Sequence, residues 1–547
     1  MTSRVTHLHY ESNMAVHWTL LSGVSTAFLP FRFSNIFHSS CRRLSSVVAP
    51  YANKGYQGFG SFHSDNVEDL IRQAEDAYRP PSLPFEPLSI DACALPSPAL
   101  NFGSREAKRL FQIDFARWTF VNHGAFGAAI IPVTAYAKVW RDYAEEQPLR
   151  FFDRVMLPHT VHVYRQLAHW IGGQPTDIAI TQNVTTALNI IVRSESSKWG
   201  PGDEVLTLDI GYGAVKTLLK TVCAQRSATY RQVAIPLPLT ASTSCSSETG
   251  NRGNDSVVGV SATSASNAVD SASLVADTER FNNNSAADEI EKLVVNALSD
   301  RTKFLLIDHV TSNTALVLPV QRIARACASR GIVVAVDGAH ALLNLPINCR
   351  EMQTSGVKYY VTNAHKWFCS PKGAAVMWMH PEFRDHVQPL VLSHGTHHGL
   401  TSAFIWDGCH DYSNILSLPW GMRMWETLGV ERVRAYIHGL AARAAAMLSE
   451  RWGTSILAPS LHASMALVKL PRHCYSYGNT SSSPMPFSSL PQDSTQAKVI
   501  QDYLYNQGIE CPVKAIAGAL YVRVSAHIYN NINDYEKLAY AIDHYRA

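Results

Sequence analysis

Short apolar runs alternate along the chain with longer segments whose apolar residues recur at helical spacing. Residues 320–329 are one such amphipathic segment. Strands that alternate with helices predict an α/β fold with a mainly parallel sheet, and a ligand crevice at the carboxyl ends of its strands. The runs that predict strands are Ile178 to Thr181, Val205 to Leu208, Phe304 to Ile307, Ile332 to Val336, Tyr359 to Thr362 and Ala374 to Met379.

Two polar segments interrupt this pattern. Residues 240–285 and 475–494 are rich in Ser, Thr and Asn, so they bury too little apolar surface to offset the entropy of ordering them. We expect both to be disordered insertions. The remaining pattern predicts an N-terminal extension over 1–95, a large domain over 96–415 and a small C-terminal domain over 416–547.

The first part of the chain has a different charge balance from the rest. Through Lys54 the acidic residue Glu11 is outnumbered by the basic residues Arg4, Arg32, Arg42, Arg43 and Lys54. A basic, serine-containing start of this kind is typical of an organelle transit peptide. We therefore expect a mitochondrial location, with an uncleaved extension on a cytoplasmic protein as the alternative.

The composition excludes several classes of function. The chain has 47 basic and 44 acidic residues, a net charge of +3, which predicts no electrostatic binding of nucleic acid. No C-x-x-C pair occurs among the ten cysteines, so neither a zinc ribbon nor another metal site is expected. No apolar stretch is long enough to span a membrane. A small-molecule partner is the remaining expectation.

Candidate chemistry lies just beyond the predicted strands. Asp337 and Lys366 each follow one, and an aspartate paired with a lysine suits pyridoxal phosphate (PLP), because the lysine can form an imine and the aspartate can keep the pyridine nitrogen protonated. Residues 181–189 read as a strand end followed by a helix start, which offers free amides to a phosphate. Tyr212 lies between two glycines and is a candidate for stacking on the ring.

From about residue 115 to 540 the chain resembles the class V aminotransferase family of fold-type I PLP enzymes, and most closely its isopenicillin N epimerase-like branch. The resemblance is carried by Val121-Asn122-His123-Gly124-Ala125-Phe126-Gly127, Gln147-Pro148-Leu149-Arg150-Phe151-Phe152, Asn183 to Asn189, Asp308-His309-Val310-Thr311-Ser312, Val336-Asp337-Gly338-Ala339-His340 and Asn363-Ala364-His365-Lys366-Trp367. Because these motifs occur in family order, the resemblance implies a mainly parallel large domain with a smaller α+β domain at the C-terminus.

The resemblance also implies a role for individual positions. Lys366 should form the Schiff base, Asp337 should pair with the pyridine nitrogen, and His340 should lie near the ring hydroxyl. Arg523 should bind the substrate carboxylate, because its planar fork can make two hydrogen bonds to it. The other positions implied are Val184 and Thr185 for the phosphate, Tyr212 and His365 for the ring, and Asn122 and His123 for the substrate.

The segment Trp406-Asp407-Gly408-Cys409-His410-Asp411 departs from the family pattern. Relatives have a hydroxyl residue after the glycine, where this chain has Cys409. In the family this loop reaches the phosphate of the neighbouring subunit, so a homodimer is implied. The contact made by Gly408 and Cys409 should be weaker than the usual one.

Each of these residues also has an alternative interpretation. Lys366 would be a surface lysine and Asp337 a helix cap if no cofactor were bound, and Lys372 in the next turn is a rival for the imine. The retained pair favours an enzyme acting at Cα of an amino-acid-like substrate over a non-catalytic scaffold. Within the enzymes, an isopenicillin N epimerase-like activity is the first expectation. A carbon–sulfur lyase like hercynylcysteine sulfoxide lyase, a transaminase and a cysteine desulfurase are the alternatives.

Overall fold

The computed structural model describes residues 64–239, 281, 284–475 and 494–546. All described residues belong to one compact unit. The predicted transit peptide and most of both predicted insertions lie outside the described residues. No described helix is long and apolar enough to cross a membrane.

Twelve strands are described, in three sheets. In chain order, β1 to β12 are Thr119–Phe120, Ile178–Thr181, Glu204–Leu208, Thr229–Val233, Thr302–Asp308, Val333–Asp337, Val357–Asn363, Ala375–Met379, Met465–Lys469, Ile509–Glu510, Val513–Ile516 and Ala519–Ser525. Each of the six strands predicted from the apolar runs is present. The prediction omitted β4, an edge strand in which only Val233 is buried, because its residues are mostly polar.

The large sheet has the order β2-β8-β7-β6-β5-β3-β4. Its central strands are parallel, and β8 runs antiparallel to both β7 and β2. Strands β5 and β6 read as nearly continuous apolar runs because helices cover both faces of such a sheet. This confirms the predicted α/β, mainly parallel fold. The expected crevice therefore lies where β5, β6 and β7 end.

Seventeen α-helices surround the sheets in the described residues. In chain order, α1 to α17 are Ser64–Arg72, Arg105–Arg109, His123–Phe126, Ile131–Glu146, Pro148–Arg150, Met156–Trp170, Val184–Glu195, Gly213–Arg226, Ser285–Ala297, Val320–Ala328, Cys349–Thr354, Leu400–Ile405, Ser413–Leu416, Leu418–Leu428, Val430–Trp452, Ser494–Asn506 and Ile532–His544. A short π-helical turn, Phe151–Val155, joins α5 to α6.

A second sheet lies within the predicted small domain. Strands β11, β12 and β9 form an antiparallel sheet, and helices α15 and α17 pack beside it in a shared apolar core. Strand β1, which precedes the large sheet in sequence, pairs in parallel with β10. The N-terminal segment that carries Asn122 is therefore held against the C-terminal part of the chain.

The end of the predicted N-terminal extension differs from expectation. Residues 64–95 are packed onto the body, with Val67, Ile71 and Cys93 buried. The guanidinium of Arg165 on α6 donates to the backbone carbonyls of Leu70 and Ile71. The sequence concealed this because α1 is short and most of its residues are polar, so its narrow apolar stripe is visible only once its partner helix is known.

Candidate active site

Lys366 follows β7 and lies at the centre of the predicted site. Its Nζ is 3.0 Å from Nε2 of His340. The pKa of Lys366 is lowered to about 8, because burial and the charge of Arg523 lower it by more than the charges of Asp337 and Asp308 raise it. A substantial fraction of this amine is therefore neutral near pH 8, as a nucleophile or a base requires.

Asp337 ends β6, and Asp308 is its partner in register at the end of β5. Both side chains are buried. Burial raises the pKa of both carboxyl groups, and at Asp308 the neighbouring Asp337 raises it further. An amide hydrogen bond from Ala339 to Asp337, 2.9 Å long, opposes this shift, so Asp337 is the carboxyl group better held as an anion. The sequence prediction named Asp337 alone and missed Asp308, although both end buried strands.

His340 is a neutral donor aimed at Lys366. Burial lowers the pKa of His340 well below its usual value, so the ring is uncharged. The indole Nε1 of Trp367 donates to His340 Nδ1 over 3.3 Å. Because an indole nitrogen only donates, Nδ1 must accept, and the single ring proton is on Nε2. His340 therefore offers an N–H toward Lys366, as expected of a residue near a ring oxygen.

The predicted phosphate site lies at the start of α7. Asn183 caps this helix by accepting from the Thr186 amide at 2.9 Å, and Thr185 is exposed. The Val184 amide, which was also predicted to bind phosphate, donates instead to Asn363 Oδ1 at 3.1 Å. Thr185 is thus the better placed of the two predicted ligands, and the Val184 amide tethers α7 to the end of β7.

The two predicted ring contacts differ in exposure. Tyr212 is 44 % exposed at the start of α8, so its ring is available for stacking. His365 is half-buried, and its Nδ1 is buried with no hydrogen-bond partner among the described residues. Burial lowers the pKa of His365 to about 4. An unsatisfied nitrogen next to Lys366 fits a site that receives a polar group.

Arg523 lies on β12 with its side chain in the core of the site and only 4 % exposed. Its guanidinium donates to Ser312 O and, over 3.1 Å, to Asn122 Oδ1. Its Nε is buried without a partner, and in the described chain no carboxylate forms an ion pair with it. A buried guanidinium with an unused donor fits the binding of a substrate carboxylate.

Asn122 supports Arg523 from the other side. While its Oδ1 accepts from Arg523, its Nδ2 donates to Glu510 Oε1 at 3.0 Å. Asn122 therefore joins the substrate arginine to the N-terminal segment and to β10. The prediction placed Asn122 at the substrate, and the structure places it directly behind the arginine that would hold the substrate.

His123 lies elsewhere than expected. It was predicted to contact the substrate, but its side chain is fully buried and its Nε2 is 3.1 Å from the carbonyl oxygen of Lys366. The structure therefore places His123 behind the lysine backbone rather than in the cleft. The sequence could not reveal this because neighbouring residues in a loop face opposite sides, and only the fold decides which side faces the cleft.

A glycine permits the close approach of these two segments. Gly127 has a φ of +66°, and a Cβ there would overlap the His365 carbonyl oxygen and lie 2.7 Å from Lys366 Cα. Any side chain would force the N-terminal loop away from the lysine segment. The glycine at this point in the motif is thus a requirement of packing at the site.

Gly408 and Cys409 lie in a separate surface loop. Cys409 is exposed, and Gly408 O accepts from the Tyr412 hydroxyl at 3.0 Å. His410 in the same loop pairs with Asp407 at 3.0 Å. Across the described residues, no hydrogen bond or ion pair joins this loop to the Lys366 cluster. Within one subunit the two predicted phosphate contacts are therefore not brought to the site.

Comparison with known proteins finds a family that matches part of the chain. The family profile described as Aminotransferase class-V matches residues 278–476. That segment contains Asp308, Asp337, His340 and Lys366 in the arrangement described above. By this match the chain is similar to the class V aminotransferase family. The family consists of PLP-dependent enzymes of fold type I.

The curated relatives of this chain include proteins named for more than one activity. A protein of Oryza sativa subsp. japonica named putative L-cysteine desulfhydrase 1 is 27 % identical, over 77 % of this chain and 82 % of its own length. Isopenicillin N epimerase of Streptomyces clavuligerus is 23 % identical, over 78 % of this chain and 94 % of its own. The relatives therefore agree on the family and differ in reaction.

A solved structure supports the fold. A mutant of the cystine C–S lyase C-DES, with glycine covalently linked to its PLP cofactor, matches 80 % of this chain and 99 % of its own. The TM-score is 0.60 at 18 % sequence identity. This similarity confirms the fold-type I architecture of the chain.

Proposed function

We propose that this PLP-dependent class V enzyme is a lyase that cleaves the Cβ–S bond of a cysteine-like amino acid. The observation that carries the proposal is the arrangement of one amine of lowered pKa, Lys366, between a ring-nitrogen partner, Asp337, and an unpaired buried arginine, Arg523. That set can bind an α-amino acid and remove the proton at Cα.

The residues of the site fit PLP. Lys366 is the amine that would hold it, Asp337 would face the pyridine nitrogen, and Thr185 at the start of α7 would bind the phosphate. Tyr212 would cover one face of the ring. When bound, PLP supplies an aldehyde for the amine and an electron sink that acidifies the Cα–H bond.

Arg523 provides the first step, which is to fix the substrate carboxylate. Its guanidinium is held in direction by Asn122 and Ser312, so little conformational entropy remains to be lost on binding. Burial lowers the pKa of Arg523 to about 10, and the group remains a cation at neutral pH. A carboxylate that reaches it would gain an ion pair in a site shielded from water.

Lys366 provides the proton transfers. As a neutral amine, Nζ takes the Cα proton of the bound amino acid. The electron pair left at Cα forms the Cα–Cβ double bond, and the Cβ–S bond breaks with its pair moving to sulfur. The resulting ammonium of Lys366 gives its proton to the leaving sulfur, so no second base is required. Hydrolysis of the released enamine in water gives pyruvate and ammonia.

Epimerisation is the second candidate. It begins with the same removal of the Cα proton by Lys366, and the similarity to an isopenicillin N epimerase over 94 % of that protein favours it. It ends with a proton returned to the opposite face of Cα. The lyase is preferred because the single amine suffices for elimination, and because one of the curated relatives named above carries the name putative L-cysteine desulfhydrase 1.

A desulfurase mechanism is disfavoured. That reaction needs a mobile thiol to accept sulfur. Cys511, the only cysteine between residues 509 and 523, is 1 % exposed and lies between β10 and β11, with its Sγ 4.0 Å from the carbonyl oxygen of Arg523. Burial raises the pKa of the Cys511 thiol far above its usual value. Such a thiol is neither accessible nor a thiolate at neutral pH.

We also propose a homodimer. Phe126, Leu149 and Leu392 are large apolar side chains that are 75 %, 61 % and 69 % exposed. Phe126 directly precedes Gly127 at the lysine segment, so a second copy on this surface would cover the site. The loop of Gly408 and Cys409, which in the described residues has no hydrogen bond or ion pair to its own Lys366 cluster, would then be available to the partner. Light scattering of the purified protein tests this by giving the mass of the species in solution.

The test of function uses L-cysteine, L-cystine and S-alkyl cysteines with purified enzyme in D₂O buffer. Release of pyruvate, ammonia and the sulfur product in equal amounts supports the lyase. Deuterium at Cα of recovered amino acid with inverted configuration, and no pyruvate, supports the epimerase instead. If neither product forms and no PLP band appears in the visible spectrum after PLP is added, both proposals are wrong.

A further inference from the structure

Three consecutive backbone carbonyls at the catalytic lysine are each held by a buried aromatic N–H group. The oxygen of Lys366 lies 3.1 Å from His123 Nε2, and that of Trp367 lies 3.1 Å from His527 Nε2. The oxygen of Phe368 accepts from Trp425 Nε1 at 2.8 Å. The three ring donors have negligible exposure. The Lys366 oxygen also accepts from the Cys369 amide at 3.1 Å. Carbonyls in a short turn normally bond to water or to backbone amides, so a ring donor at each of three successive carbonyls requires an explanation.

The protonation of both histidines is decided by these contacts. A carbonyl oxygen only accepts, so Nε2 of His123 and Nε2 of His527 must each carry the proton. Burial lowers the pKa of both rings, that of His527 to about 4, so both are neutral. His123 Nδ1 then accepts from the Tyr529 hydroxyl at 2.9 Å. Among the described residues His527 Nδ1 has no partner, so this ring is retained in the core at a cost in hydrogen bonding.

The donors come from three distant parts of the chain. His123 begins α3 in the N-terminal segment, His527 follows β12, and Trp425 lies on α14. The rings of His123 and His527 stack with centroids 4.1 Å apart, which makes the two histidines one packed unit behind the lysine. The turn that they support closes at Cys369, a non-glycine residue with a φ of +60°. A strained backbone of this kind persists only where its surroundings hold it.

We propose that His123, His527 and Trp425 form a carbonyl clamp that fixes the backbone of Lys366 to Phe368 and thereby aims the Lys366 amine. They are positioning residues that act through the lysine, and they do not touch the substrate. The proposal rests on Lys366 being the functional amine of the proposed function. It gives His123 a role that differs from the substrate contact expected from the sequence.

The same region has the composition of a metal site. His123 Nε2, Cys369 Sγ and His527 Nε2 all lie within 4.8 Å of one another, and two imidazoles with a thiol suit a soft divalent or monovalent ion. Two observations favour the clamp. Both Nε2 atoms already donate to carbonyls, and Cys369 Sγ donates to Trp367 O at 3.4 Å.

The experiment compares variants that remove one donor with variants that retain it. Trp425→Phe deletes the N–H and keeps most of the ring. His527→Ala deletes a donor, and His527→Gln restores an N–H at a similar reach. His159→Ala is the matched control, because His159 is also a buried histidine held by a backbone group, that of Ser82, but on α6 away from the lysine segment.

Two readouts separate positioning from stability in the PLP-loaded enzyme. The first is amide hydrogen exchange in a peptide spanning residues 364–371, which we expect to accelerate about tenfold in Trp425→Phe and His527→Ala, the equivalent of one net hydrogen bond. The second is the pH midpoint of the visible PLP band, which we expect to shift by about half a unit or more as solvent reaches the amine. His527→Gln should return the exchange rate and the pH midpoint toward their wild-type values. His159→Ala should change only the melting temperature.

Three results would overturn the clamp. The first is a hydrogen-exchange rate and a pH midpoint that stay at their wild-type values in folded Trp425→Phe and folded His527→Ala. The second is equal changes in His159→Ala, which would show a general loss of stability. The third is one equivalent of tightly held metal in the wild-type protein by elemental analysis, lost in Cys369→Ala. Because hydrogen exchange does not depend on the reaction, it also tests the clamp if the lyase proposal fails.

Discussion

The two sides of the segment from Lys366 to Phe368 differ in the kind of group that they present. On the cleft side, Lys366, Asp337, Asp308 and Arg523 are ionisable groups with pKa values shifted by burial and by each other. On the opposite side, neutral rings make hydrogen bonds to backbone carbonyls. The cleft side is therefore costly to maintain without a ligand, whereas the rings on the other side are uncharged and bond to carbonyls of the same chain.

The difference explains how such a site persists in a folded protein. Buried charges with unused donors reduce stability until a cofactor or substrate arrives. Because the ring donors hold the Lys366 backbone in place, the buried charged side chains cannot rotate toward solvent to lower the free energy of the folded protein. The following predictions test this division, from the largest expected effect to the smallest.

Replacing Lys366 by Ala should lower kcat by about 10⁴-fold, because the amine is the only proposed base for the Cα proton. Visible spectra should show no imine band. Lys372→Ala is the matched control, since Lys372 is exposed six residues further along the same segment. Retained activity in Lys366→Ala together with lost activity in Lys372→Ala would reassign the catalytic lysine.

Removing the charge of Arg523 should act mainly on substrate binding. Arg523→Gln should reduce kcat/KM by about 10²-fold, chiefly through KM, because a buried charge pair with the carboxylate is lost. Arg523→Lys should recover part of the loss, since it keeps a charge but not the fork. Steady-state kinetics of the two variants on the preferred substrate measure the loss and its partial recovery. An unchanged KM in Arg523→Gln would show that the substrate carboxylate binds elsewhere.

A side chain at Gly127 should disturb the junction between the two sides. Gly127→Ala should destabilise the protein by about 1–3 kcal/mol and lower activity further, because its Cβ would overlap the lysine segment. Gly453→Ala is the control, with a φ of +63° but open space around its Cβ. Thermal unfolding and kcat of the two variants should separate backbone strain alone, in Gly453→Ala, from backbone strain combined with steric overlap, in Gly127→Ala. Equal effects of both changes on activity would argue against the close approach.

Removing the charge of Asp337 and removing the charge of Arg523 should shift the pKa of Lys366 in opposite directions. Asp337→Asn should move the pKa of Lys366 below about 8, since a nearby anion favours the ammonium, and Arg523→Gln should raise it. In PLP-free protein, labelling of Lys366 by acetic anhydride across pH reports the neutral fraction, which increases as pH rises through the pKa. Shifts of the same sign in the two variants would contradict the assigned electrostatics.

Cys511→Ala should have the smallest effect. Activity should stay within about twofold of wild type, because the buried thiol has no role in the proposed lyase reaction. Alkylation of the folded enzyme with iodoacetamide should modify the exposed Cys409 and leave Cys511 untouched. Loss of sulfur release on removing Cys511 would revive a desulfurase mechanism.

The sequence alone determined the scaffold and the central chemistry of this protein. Apolar runs identified the buried strands because a buried parallel strand has few polar positions, and Asp337 and Lys366 were visible because each follows such a run. The exposed tyrosine and the helix start at Thr185 were found in the same way. These features depend on a few neighbouring residues.

Only the tertiary structure decided which way the remaining residues face. His123 was expected at the substrate and lies behind Lys366, while His527, Trp425 and Asp308 were not recognised as part of the site. Their partners are distant in sequence, and hydrogen bonds between distant segments leave no local pattern. The packing of α1 onto α6 was hidden for the same reason. The residues that adjoin a side chain in the sequence determine whether it lies on a strand, a helix or a turn. Its function in this protein depends on the distant residues that folding brings into contact with it.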